Sequence, residues 1–258
     1  MHFSLQITQR LNKLIRSLRQ RKFRDQNSLF VAEGEKLCVE LLESEFVPEL
    51  FVIREYPSAD AVEIAENFSE RGVPVYSCPK TQFDQLSNTK SPQGILSVVN
   101  FKETPVIDNE SFIALDGISD PGNVGTIIRT ADWFGIRQVI LGKGCSDKYN
   151  PKVVRSTMGA IFRTTIVQKV ELSEFLPEHF KGFEIYGASL ESDKNIEDLS
   201  PKDKYGIVFG HESQGISDQV KEIITNDFKI RGDGDSESLN VATAVGISLY
   251  QFNLDKNR

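Results

Sequence analysis

The 258-residue chain is 39% hydrophobic and 26% charged, the balance of a globular protein with a substantial core rather than of a disordered one. No apolar run approaches the roughly 20 residues that a membrane-spanning helix needs, so a soluble protein with no membrane partner is expected. A net charge of −7 argues against a nucleic-acid partner until its distribution is read.

Residues 1–24 hold Arg10, Lys13, Arg16, Arg19, Arg21, Lys22 and Arg24 and no acidic side chain, which leaves about −14 for the remainder. A local basic face matters more for phosphate binding than the overall sum. Leu11, Leu14, Ile15 and Leu18 recur at helical spacing, so this segment predicts an amphipathic helix with basic residues on its other faces. Three readings are open for it: a packed helix with a solvated surface, an RNA-contacting arm, or an Arg-rich presequence. Cys38, Cys78 and Cys145 form no C-x-x-C pair, which suits a reducing cytoplasm and gives no support to a metal site.

Beyond the basic segment, strand patterns at 29–32, 49–53, 73–77 and 94–99 alternate with helical patterns at 34–44, 59–71 and 81–87. That alternation predicts a layered α/β domain. The stretch containing Lys102, Glu103, Thr104 and Pro105 loses periodicity. It divides the chain into a first domain at 1–102, a linker at 103–110 and a second domain at 111–258. In the second domain, strands are predicted at 112–115, 138–141, 164–167, 184–187, 206–209 and 228–230. Helices are predicted at 124–134, at 151–159 with Pro151 in its first turn, after Ser217, and from about 239 to 252.

Three loops after predicted strands are rich in glycine and polar residues, and ligands collect at the carboxyl ends of strands in open α/β sheets. In the first, Asn123, Gly125 and Arg129 form N-x-G-x-x-x-R at the start of a helix. Its free N–H groups suit a phosphate, and Arg129, roughly 1.7 turns on, could reach the same anion. The plainer reading makes Asn123 a helix cap and Arg129 a surface cation. The second loop runs Gly210-His-Glu212-Ser-Gln-Gly215. A zinc-protease H-E-x-x-H is ruled out because its second histidine falls on Gly215. A tight turn is the plainer reading. The third loop runs from Ile230 through Ser238 and Asn240 to Val241. Its acidic residues miss calcium-loop spacing, Ser238 reads as a helix N-cap, and Asn240 reads as a first-turn amide in want of a partner.

Together these loops resemble the motifs of the SpoU–TrmH family of RNA 2′-O-methyltransferases, in the SPOUT class. Asn123, Gly125 and Arg129 match the first motif, Gly210, Glu212 and Gly215 the second, and Ser238-Leu-Asn-Val241 the third. The segment Asn150-Pro-Lys-Val-Val-Arg155-Ser-Thr-Met-Gly159 and the Phe30-Val-Ala-Glu-Gly34 entry to a small substrate-binding domain are similar too, so the resemblance covers nearly the whole chain. It departs where the third motif usually opens Ile-Pro, because Arg231 follows Ile230 here.

The resemblance implies a C-terminal α/β domain with a parallel sheet tied in a trefoil knot, preceded by a smaller α/β RNA-binding domain. It implies methyl transfer from S-adenosylmethionine to a ribose 2′-hydroxyl by a homodimer, with ribosomal RNA ranked ahead of transfer RNA, and the absence of a secretory segment leads to a cytoplasmic expectation. Asn123, Arg129, Glu212, Ser238 and Asn240 would be the catalytic residues, with Gly210, Gly215, Ile230 and Leu239 at the cofactor. RNA would be gripped by the seven N-terminal basic residues and Arg155. A guanidinium stays protonated, so Arg129 is expected to clamp phosphate and polarise the hydroxyl, with Glu212 orienting it or a neighbour. A non-catalytic RNA-binding protein of the same fold and a transfer RNA methyltransferase are the alternatives. A phosphate-binding NTPase is disfavoured, because the chain has no G-x-x-x-x-G-K-[ST] loop.

Overall fold

Residues 5–201 and 203–256 are described by the computed structural model. They fall into two units: the chain up to Glu103 together with Tyr149–Phe162, and Thr104–Lys148 together with the chain from Arg163 onward.

The first unit opens with β1 (Leu5–Gln6), α1 (Gln9–Ser17) and α2 (Arg21–Asn27). It continues with β2 (Leu29–Glu33), α3 (Glu35–Leu42), β3 (Pro48–Arg54), α4 (Ala59–Glu70), β4 (Val75–Cys78), α5 (Lys80–Leu86) and β5 (Ile95–Asn100). The strands form a mixed sheet in the order β1-β4-β3-β5-β2, in which β1, β4 and β3 are parallel and β5 is antiparallel to both its neighbours. Ile15 and Leu18 lie buried in the same core as Leu50, Val52, Leu96 and Val98, with Leu11 and Leu14 packed against it, so the apolar stripe faces inward.

The basic segment is two helices, not one, and the break has an electrostatic reason. Arg24 is only 2% exposed and donates through Nη1 to Leu18 O and Arg19 O, both at 2.9 Å. It thereby satisfies carbonyls that the end of α1 leaves open. Arg19 donates to Gln85 O at 2.7 Å and Ser87 O at 2.6 Å. This corrects the expectation that all seven basic residues face RNA: Arg24 is an internal fastener, and Arg19 is committed to backbone. Arg24→Ala is expected to lower stability by about 2–3 kcal/mol, read as a shifted urea midpoint with an unchanged slope.

The second unit begins with β6 (Phe112–Asp116), α6 (Pro121–Trp133) and β7 (Gln138–Gly142). Next in the chain comes α7 (Pro151–Ser156), a piece of the first unit. The second unit resumes with β8 (Thr165–Val170), α8 (Leu172–His179), β9 (Glu184–Ala188), β10 (Tyr205–Gly210), α9 (Asp218–Lys221), β11 (Asn226–Phe228) and α10 (Val241–Lys256). All six strands are parallel, in the order β11-β9-β10-β6-β7-β8. Central strands such as β7 are buried at every residue, as a parallel sheet covered on both faces requires. No described helix is long and apolar enough to cross a membrane.

Two features depart from the domain expectation. The segment 149–162 belongs with the first sheet, because Val153 and Val154 are buried where α7 packs on β2. Tyr149 stacks on Phe30 and Phe101, with ring centroids 4.4 and 4.2 Å apart. The expected linker is also tied down: the buried Gln138 amide donates to Ile107 O and Glu110 O and accepts from Ile107 N, at 2.8–3.1 Å. The helix α8 escapes the sequence pattern because Pro177 lies inside it.

Candidate active site

Since β9, β10, β11 and β6 run parallel, the loops that follow them leave the sheet at one edge. At that edge Asp116, the last residue of β6, accepts through Oδ2 from Ser217 N at 2.8 Å and so pins the end of the loop after β10. The helix α6 starts three residues earlier than the sequence suggests. Asp120 is its N-cap, accepting from Asn123 N at 2.9 Å, and Pro121 holds the first position. Asn123 therefore does not cap the helix, and its amide is free for other partners. The Asp120-Pro121 pair is a helix-start signal that could have been read from the sequence.

The loop after β10 folds back on itself. His211 N donates to Gly215 O at 3.0 Å, Gly215 N returns to His211 O at 2.8 Å, and Gly215 has φ +68°. A Cβ on Gly210 would stand 2.1 Å from Gly215 C and 2.2 Å from Ile216 N. The closest neighbour of Gly210 is thus the protein's own backbone. Glycine is therefore needed here for the loop's own closure. The folded loop projects Glu212, whose Oε1 accepts from Asn123 Nδ2.

Asn240 completes the chain of contacts. Its Oδ1 accepts from Ala242 N at 2.9 Å and Thr243 N at 3.4 Å, which makes it the N-cap of α10. Its Nδ2 donates to Asn123 Oδ1 at 3.0 Å. This corrects two expectations: Ser238 is not the cap, and Asn240 precedes the helix rather than lying within its first turn. The cap also fixes both amide orientations. Asn240 must turn its oxygen to the helix, so its nitrogen faces the Asn123 oxygen, and the Asn123 nitrogen faces Glu212. Three loops distant in sequence are thus joined as Asn240–Asn123–Glu212.

Other expected site residues stand apart from this relay. Arg129 is exposed on α6, about 120° around the helix from Asn123, and no hydrogen bond or ion pair joins it to Glu212 among the described residues. Ser238 is exposed. Arg231 pairs with Asp233 at 3.5 Å, two exposed groups whose attraction contributes little. No backbone–backbone hydrogen bond ties the described residues 230–239 to the rest, and Leu239 is 47% exposed. Such a segment, beside the carboxyl ends of β9, β10 and β11, offers free N–H groups and an apolar side chain to a ligand. Cys145 is no nucleophile there, because burial pushes its thiol up to about 11 and it donates to Leu115 O at 3.1 Å. In the first unit, Arg155 lines a small cleft with Glu33, Leu37 and Asn88.

Residues 110–250, which carry the whole relay, match the SpoU rRNA Methylase family. The chain belongs to the SpoU family. Residues 12–97 match the MRM3-like substrate binding domain. The chain is 29% identical over 238 residues to the 23S rRNA (guanosine(2553)-2′-O)-methyltransferase RlmP of Bacillus subtilis, covering 92% of this chain and 93% of that one. It is 31% identical over 204 residues to the 23S rRNA (guanosine-2′-O-)-methyltransferase RlmB of Coxiella burnetii, covering 73% of this chain and 80% of that one. Among solved structures, the AdoMet-bound rRNA methyltransferase of Sinorhizobium meliloti superposes with a TM-score of 0.85 at 26% identity, over 97% of this chain and 96% of that one. In this SpoU protein, Asn123, Glu212 and Asn240 meet, whereas Arg129 and Ser238 remain outside their hydrogen-bonded group.

Proposed function

We propose that this protein transfers a methyl group from S-adenosylmethionine to a ribose 2′-hydroxyl of ribosomal RNA. The observation that carries the reading is the Asn240–Asn123–Glu212 relay at the carboxyl edge of a parallel sheet, in a chain of the SpoU family. Its matches to ribosomal RNA enzymes extend across both units, which favours ribosomal over transfer RNA.

The loop at 230–239 and the end of β10 suit S-adenosylmethionine. Backbone groups of Gly210 and Ile230 would hold its polar parts, and Leu239 its apolar face. Bound there, it supplies an electrophilic methyl group. Asn123 holds one oxygen of the exposed Glu212 carboxylate and leaves the other to accept from the incoming hydroxyl. Glu212 thereby orients the hydroxyl, and its free carboxylate oxygen takes the proton that the hydroxyl gives up as its oxygen gains the methyl group. Ser238, exposed beside Leu239, would contact the same nucleotide. Arg129, permanently charged, would clamp the neighbouring phosphate. The exposed Arg10, Lys13, Arg16 and Lys22 of α1 and α2 would add salt-sensitive phosphate contacts. Incubating purified protein with ribosomal RNA and labelled S-adenosylmethionine tests this reading by whether ribose-methylated nucleosides form.

We also propose that it works as a homodimer. The helices α6 and α10 lie side by side: Asn123 bonds Asn240 near their starts, and Asn253 Nδ2 donates to Phe134 O at 3.3 Å near their ends. Trp133 on α6 is 84% exposed, and Ile247, Tyr250 and Leu254 form an exposed apolar stripe on α10. Arg129 lies one turn before Trp133, so a second copy covering this face would take Arg129 toward its own relay. The double variant Ile247→Glu, Tyr250→Glu is expected to run as a monomer in light scattering and to lose at least about tenfold in methyl transfer.

A further inference from the structure

Tyr56 is the most exposed of the large apolar side chains, at 93%, and its backbone is left-handed, with φ +54°. For a bulky residue that conformation is an outlier, and the proline that follows narrows its choices further. Strain of this kind persists where the surroundings impose it or where function uses it. Here the ring gains no packing inside the chain in return.

The platform beneath Tyr56 is rigid without it. Glu55 N donates to Cys78 O at 2.8 Å and Arg54 N to Gly94 O at 2.8 Å, which fixes the chain up to the residue before Tyr56. The neighbouring loop at 87–94 is held by the Glu33 carboxylate, which accepts from Ser87 Oγ, Asn88 N and Thr89 Oγ1, and by Gln93 Oε1, which accepts from Glu35 N. Parallel β3 and β4 and antiparallel β5 place Tyr56 and this loop at one edge of the sheet. The charges that flank it in the chain and in the loop at the same sheet edge are mixed: Arg54 and Lys90 against exposed Glu55 and Asp60. A phosphate gains little there, whereas the face of an unpaired base needs no net charge.

We propose that Tyr56 is a stacking platform for an unpaired base of the RNA substrate, an inference that rests on the RNA-methylating function above. Tyr56 lies within the matched substrate-binding domain. It positions the RNA and touches none of the reacting atoms.

The test compares Tyr56→Ala, Tyr56→Phe and Tyr56→Gly in the full chain, with deproteinised 23S ribosomal RNA and a fully paired RNA duplex as probes. The expected result is that Ala and Gly each weaken ribosomal RNA binding and raise KM by about tenfold at unchanged kcat, Phe stays within about twofold of the parent, and duplex binding is the same in all four proteins. Gly is also expected to raise Tm, since it relieves the left-handed strain, which shows that lost affinity is not lost folding. Ala binding ribosomal RNA as tightly as the parent would overturn the proposal. So would Phe failing as badly as Ala, or equal losses on the duplex. Failure of the parent protein to methylate would count against the reaction, whereas normal methylation with an unmoved KM in Tyr56→Ala would count against the platform alone.

Discussion

Arg129→Ala is expected to slow methyl transfer by about a hundredfold to a thousandfold while leaving S-adenosylmethionine affinity within about twofold. Arg129 is exposed and stands about 120° around α6 from Asn123, so the relay keeps its geometry when the side chain is removed. In the role proposed for Arg129, the variant would lose a fixed positive charge at the nucleotide's phosphate. Arg129→Lys should recover only part of the rate, because an ammonium cannot match the bidentate fork of a guanidinium. If Arg129 serves the partner's relay, mixing an inactive Arg129→Ala protein with an inactive Glu212→Gln protein should restore measurable activity. Mixed dimers would then contain one site with both residues intact. Full turnover by Arg129→Ala alone would remove Arg129 from the reaction.

The second large effect is expected at Asn240, where one side chain performs two separable tasks. Its Oδ1 caps α10, and its Nδ2 holds Asn123 in the orientation that serves Glu212. Asn240→Asp keeps the capping oxygen and adds a negative charge at a helix N-terminus, so its stability should stay within about 0.5 kcal/mol of the parent. The same change removes the donor to Asn123 Oδ1 and sets two acceptors against each other. Methyl transfer should fall about a hundredfold. Asn240→Ala should lose the rate and about 1 kcal/mol of stability as well. Urea denaturation beside single-turnover rates separates the two tasks; an active Asn240→Asp protein would make Asn240 a cap and nothing more.

The strands of the second unit were legible because a parallel sheet covered on both faces needs continuous apolar runs, as in Gln138–Gly142. The three relay residues were legible as motif positions, but their bonds were not. Asn123 was open to being read as a helix start, yet Asp120 and Pro121 occupy that place. Spacing alone put Arg129 on the same helix as Asn123 and could suggest a shared anion, but six residues turn it to another face. Arg24 resembles its basic neighbours in sequence, and only the break between α1 and α2 shows why it is buried. The allegiance of α7 to the first sheet rests on long-range packing of Val153, Val154 and Tyr149, which periodicity does not reveal.

The most direct measurement is nucleoside mass spectrometry on ribosomal RNA incubated with the purified protein and S-adenosylmethionine carrying a deuterated methyl group. The predicted result is a deuterated methyl on a ribose 2′-oxygen, at one or a few positions, formed by the parent protein and not by Glu212→Gln. A label found on a base, or no label at all in RNA that the protein demonstrably binds, would contradict the account.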